Sequence, residues 1–296
     1  MLIDTHVHTT CSDGKKSVPE VFQLASALNI KLLAITDHDT IRAYPEAFEE
    51  AEKYGMTPIS GVELSTKDED GHRDVHVVGL KMDVADKKLA RELDRLASAR
   101  IDARKKLLEN VNKYFMNRYS DWQPVKFEEV EKRALGRIIG KPHVAGAVHS
   151  QAQMLGIPVT EDDLYRIFKL PGVKTKKAYE LTMEECISLV KKTGGVPVLA
   201  HSCEYPDMDA VVKKFAKLGG EAIELCKYRY KTKLSEIRSL SMAERLDLEM
   251  EMNIRTIKLG RKHGLKFTAS SDYHAKTGEP GMDPAVYGID VDWLFE

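Results

Sequence analysis

Long apolar runs are missing from this chain: nowhere do its 296 residues supply the ~20 consecutive apolar side chains that a membrane-spanning helix needs. An excess of either charge is missing too. Lys and Arg number 45 against 46 Asp and Glu, a net charge of -1, which excludes bulk attraction to duplex nucleic acid and leaves only local nucleotide contacts. Cysteines number four, at irregular spacing and with no apolar N-terminal segment, so the expected setting is the reducing cytoplasm rather than a disulfide scaffold. The first strand-like run opens at Leu2, and no targeting segment is expected ahead of it. Repeats and low-complexity tracts are absent. What remains is an ordinary globular composition, 43% hydrophobic and 31% charged, long enough for one large barrel or two domains.

Seven short apolar runs read as buried strands: Leu2–His6, Lys31–Thr36, Thr57–Leu64, Asp74–Leu80, Val196–Ala200, Ala222–Cys226 and Lys266–Ser270. Most are separated by segments of helical period, for example a helix capped by Ser17 with Pro19 in its first turn and one from about Ile41 to Tyr54. That alternation is the pattern of an α/β parallel sheet or barrel. Residues 86–192 break the rhythm. Leu89, Leu93, Leu96, Leu107, Val111 and Phe115 mark one long amphipathic helix, and further helices are expected near Phe127–Leu135, His143–Met154 and Glu161–Phe168. The expected organisation is a barrel from residues 1–85 and 193–296, with 86–192 as a helical insertion packed over its mouth.

Ligand-type side chains crowd the ends of the strands. His6 and His8 follow the first run, His38 the second, Glu63 closes the third, His201 follows the fifth, and Asp272 and His274 follow the last. His76 stands within the fourth run or near its start, so that element is expected to be irregular. A His-X-His pair on an extended segment turns both imidazoles to one side, because side chains alternate faces. Neutral imidazoles with carboxylates are the donor set of a divalent-metal site. Active sites of α/β barrels gather where loops from several strands converge, at the carboxyl ends. A metal-dependent hydrolase is the expected class.

Six segments, in order, carry a family resemblance. Asp4–Thr9 with Ser12-Asp13-Gly14, Ile35–Asp39, Gly61-Val62-Glu63, His76–Gly79, Leu199-Ala200-His201 and Ser271–His274 together resemble the polymerase-and-histidinol-phosphatase (PHP) family across nearly the whole chain. The resemblance implies a distorted seven-stranded (β/α)7 barrel, two or three divalent metal ions and phosphoester hydrolysis. Carried over by position, it implies a first metal on His6, His8, Glu63 and Asp272, a second shared by Glu63 with His76 and His201, and a third on Asp13, His38 and His274. Asp272, His201 and His274 would also serve the chemistry directly. Manganese, iron or zinc suits such mixed nitrogen and oxygen donors. Paired metals of this kind sit about 3.5–4 Å apart and lower the pKa of a bound water from about 15.7 to about 7, so a metal-bridging hydroxide would attack phosphorus. His72, His149 and His263 read as ordinary surface or helix-end residues, and Cys11, Cys203 and Cys226 as small hydrophobes rather than ligands.

Within the insertion, Gly136–His143 resembles the Arg-Pro-His or Arg-Thr-His segment of the family branch that holds nucleoside-bisphosphate phosphatases and RNA 5′-end exonucleases. It implies substrate contacts from Arg137, Lys141 and His143; Lys141 stands where an arginine is usual, keeping the charge without the bidentate fork. The run Cys226–Lys233 carries four cations and two tyrosines, which could clamp phosphate or stack a base, but a solvated loop is the favoured reading. The expected partner is therefore a small phosphorylated metabolite, a nucleotide such as a 3′,5′-bisphosphate, or a short oligonucleotide. A cyclic ribose phosphate is the rival within the class, and histidinol phosphate a weaker one. A non-hydrolytic regulatory module would have shed ligands that are all retained here. An amidohydrolase would not need the basic insertion.

Overall fold

The computed structural model describes residues 1–134, 138–231, 237 and 239–296. Seven strands form one sheet in chain order: β1 (Leu2–Val7), β2 (Ile30–Ile35), β3 (Thr57–Ser65), β4 (His76–Leu80), β5 (Val196–Leu199), β6 (Ala222–Cys226) and β7 (Lys266–Ser270). The sheet curls until its edges meet: Val7 bridges Tyr273 in parallel, and the His8 N–H donates to the Tyr273 carbonyl at 2.8 Å. The result is a nearly closed α/β barrel. Its interior is filled by Ile3, Leu32, Ala34, Val78, Val198, Leu225 and Ala269, all buried and apolar.

Two departures from the alternating pattern matter for function. β4 runs antiparallel to both β3 and β5, whereas β1–β2–β3 and β5–β6–β7 pair in parallel. Connection length explains it. A parallel return needs a crossover of about a dozen residues or more, usually through a helix, and the turn 66–75 between β3 and β4 supplies none. The reversal has a consequence for chemistry: the first residue of β4, His76, pairs with Ser65 at the end of β3 and therefore stands at the same rim as the carboxyl ends of the parallel strands. The strand is regular, and what seemed an irregularity was a change of direction.

The second departure is the extent of the insertion. The chain divides into one compact unit of Met1–Glu92 with Leu181–Glu296, and another of Leu93–Glu180. Expecting the insertion to reach residue 192 assigned it one helix too many. Helix Met183–Lys192 turns Met183, Cys186, Ile187 and Val190 inward and packs on β4 and β5, so closely that a Cβ on Gly79 would come within 2.8 Å of Val190 and one on Gly195 within 3.1 Å. It is a barrel helix.

In chain order the helices are α1 (Val18–Ala27), α2 (Glu46–Lys53), α3 (Lys87–Met116), α4 (Phe127–Ala134), α5 (Lys141–Met154), α6 (Glu161–Ile167), α7 (Met183–Lys192), α8 (Met208–Lys217) and α9 (Met242–Lys262). α1 begins as its sequence dictates: the Ser17 N–H and hydroxyl both donate to the Glu20 carboxylate, Pro19 lies in the first turn, and Val18, Val21, Phe22 and Ala25 form the buried stripe. α2 is shorter than expected because Pro45, with no N–H to donate, stands at its N-cap. α3 crosses from one unit to the other, and its second half joins α4, α5 and α6 around Leu107, Val111, Phe115, Trp122, Val130, Val144, Val148 and Leu164. Buried Asn112 ties that core together, accepting from the Trp122 indole at 3.2 Å and donating to the Val125 carbonyl at 2.9 Å. Among the described residues no helix is long and apolar enough to cross a membrane.

Candidate metal centre

Loop chemistry fixes the first side chains. Asp4, fully buried, accepts from the His6 and Ser271 backbone N–H groups at 3.2 and 3.0 Å, from the Ser271 hydroxyl at 2.6 Å and from the Gly281 N–H at 2.6 Å. It thereby pins the end of β1 to the end of β7. Asp37 does the same for the turn after His8, accepting from the Thr9 N–H, the Thr9 hydroxyl and the Ser12 hydroxyl. That turn closes tightly. A Cβ at Gly14 would come within 2.4 Å of the His8 carbonyl oxygen, so only glycine lets the chain fold back and present Asp13. His201 and Asp272 hold positive φ angles of 27° and 51°, the sort of local strain that clusters at functional sites.

Glu63 is the hub. Its Oε1 lies 2.8 Å from His76 Nδ1 and 3.1 Å from His201 Nε2; its Oε2 lies 2.8 Å from His38 Nδ1, 3.2 Å from His8 Nε2 and 3.3 Å from His6 Nε2. Asp272 Oδ1 adds contacts of 3.1 Å to His8 Nε2 and 3.4 Å to His274 Nδ1, and Asp13 Oδ1 lies 3.1 Å from His274 Nε2. Three sets have donor atoms close enough to share an ion: His6, His8, Glu63 and Asp272; His38, Glu63 and His76; His8, Asp13, His38 and His274. Eight of the nine residues singled out in the sequence fall in these sets, and the ninth, His201, expected beside His76, is in none of them but meets Glu63. Two more serve differently from the simple partition. His8 faces both the first and third sets, and His38 approaches Glu63 more closely than Asp13, which lies 4.0 Å away.

The donor set fits divalent cations by its own electrostatics. Asp13 Oδ1, Glu63 Oε2 and Asp272 Oδ1 are buried carboxylate oxygens that accept no well-directed hydrogen bond, and each points into the ring of imidazoles. A buried anionic oxygen without a donor is costly, and a metal ion is the partner that suits such oxygens best. Burial raises a carboxyl pKa, yet the surrounding imidazoles hold Glu63 and Asp13, and Lys231 followed by the imidazoles holds Asp272, well below the usual range, so all three remain ionised. The histidines respond in kind. Burial opposes their charge, but Asp272 and Glu63 raise His8 to about 9, and Glu63 with Asp74 raises His76 to about 10. For His38 burial wins, and its pKa falls to about 4, which leaves the neutral, metal-binding form.

A supporting shell lies outside these nine. Glu224 Oε1 meets His6 Nδ1 at 2.9 Å and its Oε2 accepts from the His201 N–H at 2.7 Å, fixing the orientation of one ring and the backbone of the other. A lone carboxylate in the apolar strand Ala222–Cys226 was the signal for it. Lys231 carried no such signal. The favoured reading of its loop as solvated is wrong for residues 227–231: Tyr228 and Lys227 are buried, Arg229 pairs with Glu249 at 2.6 Å, and Lys231 pairs with Asp272 and, at 2.9 Å, with Glu204. Arg229 and Lys231 turn inward onto carboxylates, whereas Lys227 donates to the Glu279 and Pro280 backbone carbonyls at 3.0 and 3.3 Å. Lys233 lies outside the described residues, as does Arg137. Lys141 and His143 stand on the other unit, in the first turn of α5, where His143 Nδ1 accepts from the Gly140 N–H at 3.0 Å. None of the three metal-capable sets contains a cysteine, and the four cysteines form no disulfide.

Fold and site together define a barrel hydrolase whose rim is equipped for divalent cations. Residues 4–196 match the PHP domain family, well over half of the chain, and the chain belongs to that family. Several characterised proteins are similar along nearly the whole chain. The 3′,5′-nucleoside bisphosphate phosphatase of Chromobacterium violaceum is 26% identical over 289 residues, 95% of this chain and 90% of that protein. The 5′-3′ exoribonuclease Rnm of Salmonella typhimurium is 29% identical, with 93% and 85% covered. The phosphoribosyl 1,2-cyclic phosphate 1,2-diphosphodiesterase of Eggerthella lenta is 27% identical, with 94% and 96% covered. Among solved structures, an amidohydrolase from Chromobacterium violaceum superposes with a TM-score of 0.71 at 23% identity, covering 95% of this chain and 91% of that one, a likeness of fold.

Proposed function

We propose that this chain, a metal-dependent phosphoesterase of the PHP family, hydrolyses a small phosphorylated substrate, foremost a nucleoside 3′,5′-bisphosphate or the 5′ end of a short RNA, in the cytoplasm. The observation that carries the reading is the Glu63 hub, where one buried carboxylate meets five imidazoles and three carboxylate oxygens lack hydrogen bonds. His6, His8, Asp13, His38, Glu63, His76, His201, Asp272 and His274 are assigned as ligands of manganese, iron or zinc, two or three ions in all. Those ions, when bound, supply Lewis-acid charge for the phosphoryl oxygens and a water acidic enough to react near neutral pH.

The residues themselves do the rest. His6 and His8, buried on the floor, and Glu63 between them hold the reaction geometry rigid. Asp272 and His274 stand on the more open side and face the phosphoryl group together with His201. Lys231, held by Asp272 and Glu204, adds positive charge where negative charge grows in the transition state. Arg137, Lys141 and His143 are assigned to substrate phosphate on the insertion. The full-length similarity to a bisphosphate phosphatase and to an RNA 5′-3′ exonuclease supports the substrate class.

The cyclic ribose phosphate reading is favoured by one specific observation, a diphosphodiesterase relative covered over 96% of its length. A phosphate-release assay with Mn²⁺ separates the two. Adenosine 3′,5′-bisphosphate, a 5′-phosphorylated dinucleotide, a 5-phosphoribosyl 1,2-cyclic phosphate, histidinol phosphate and an aryl phosphate would be compared by kcat/KM. The account expects the bisphosphate or the 5′-phosphorylated dinucleotide to lead. Preference for the cyclic ester would transfer the assignment to the rival, and no release from any substrate would remove it.

A further inference from the structure

The outer face of α9 carries apolar side chains that the metal centre does not use. Twelve large hydrophobic residues are exposed among the described ones, and four of them, Met242, Leu246, Met250 and Ile254, stand on this one helix at steps of four. Residues at that step form one ridge of a helix. Exposed apolar residues scattered singly are ordinary, but a row of four, each 36–50% exposed, marks an interaction surface. The inner face of the helix is already packed. Asn253 holds the Cys226 backbone, donating to its carbonyl at 3.0 Å and accepting from its N–H at 3.1 Å, and Thr256, Ile257 and Gly260 are buried on the same side.

Charge on the outer face says what fits it. Asp247 precedes Met250 and Ile254, and Lys258 follows them; all four are exposed and recur at steps of three and four. Within one helix the two charges stand eleven positions apart, about 16 Å along the axis, too far to meet. Among the described residues neither has an ion-pair partner. A second copy of the same helix, laid antiparallel with its Ile254 on Met250, brings its Lys258 within one residue, about 1.5 Å, of level with Asp247. Leu246 then lies against the aliphatic stem of that lysine. Two-fold symmetry makes each contact twice. A parallel pair would instead set Asp247 on Asp247 and Lys258 on Lys258.

We infer that α9 is a self-association surface, through which two copies of this chain pair as a two-fold symmetric dimer of antiparallel helices, Met250 on Ile254 and Asp247 on Lys258. The face is about 30 Å long, small for a stable interface, and Glu251 meets its own counterpart near the axis. A dissociation constant on the order of micromolar is therefore expected.

Sedimentation equilibrium of the metal-loaded protein at about 1–100 µM tests it. Wild type should pass from the 33.3 kDa of one chain toward twice that mass as concentration rises. Met250→Glu combined with Ile254→Glu should keep the single-chain mass throughout, and both positions are exposed enough for the fold to survive. Asp247→Lys and Lys258→Asp should each weaken the dimer by about tenfold or more, because each sets like charges together at both contacts. Mixed in equal amounts, these two variants should recover association close to wild type, since each supplies the charge the other lacks. Recovery on mixing would show that charge across the interface, not damage to either fold, caused the loss. A wild type that keeps the single-chain mass at about 100 µM overturns the inference and leaves the face to a different partner. A dimer that survives the paired glutamate substitutions, or one indifferent to both charge variants, overturns it as well.

Discussion

Glu63→Gln should remove phosphoesterase activity almost completely while leaving the protein folded. The glutamine keeps the side chain's size in the buried slot but takes away the charge that His6, His8, His38, His76 and His201 all face. Loss of a residue that merely supports a ligand typically costs about 10–100-fold in metal affinity or activity, so loss of a carboxylate shared between two of the three sets should cost on the order of 10²-fold or more. Metal content measured on the same sample should fall with turnover, and circular dichroism should match wild type. A folded Glu63→Gln protein with wild-type turnover would detach the chemistry from this cluster.

Asp13→Ala should act more selectively. In the set formed with His8, His38 and His274, Asp13 is the sole carboxylate, and its side chain is partly open to solvent. Without it three imidazoles remain to hold a dication with no anionic donor, a weak site for manganese or iron. The expected result is one metal ion fewer per chain, the other sets still loaded, and turnover down by about two powers of ten, the size of effect expected from losing one preorganised charge-stabilising group. Since the Asp13 side chain supports no core packing, the metal-free protein should still fold, losing only the stability that the Asp13–His274 ion pair adds above the ordinary carboxyl pKa. Unchanged activity would mean that the third set plays no part in turnover.

That these histidines and carboxylates gather at one rim was legible in the sequence because such residue types and strand ends obey simple rules. Apolar runs of four to nine residues stood out, and His6, His8, Glu63, His201 and Asp272 followed them in a way that scattered surface histidines would not. The direction of β4 was not legible, because an antiparallel strand and a parallel one read alike in an apolar run such as His76–Leu80; only the shortness of the 66–75 connection hinted at it. Glu224 was overlooked for a related reason: a carboxylate inside a strand becomes informative only once its partner, His6, is known to lie across the barrel. Lys231 looked like one cation in a basic loop. What buries it is the pair of carboxylates Glu204 and Asp272, separated from it by 27 and 41 positions in the chain. The far end of the insertion misled because α7 is as amphipathic as its neighbours, and packing on β4 and β5, rather than pattern, decides where it belongs.

The central claim is that divalent metal held by this histidine and carboxylate cluster hydrolyses phosphoesters. Elemental analysis of gently purified protein, run in parallel with phosphate release before chelation, after chelation and after return of Mn²⁺, tests it most directly. The account predicts about two or three divalent ions per chain, loss of hydrolysis with the metal, and recovery on its return. Undiminished hydrolysis by protein stripped of metal would contradict it.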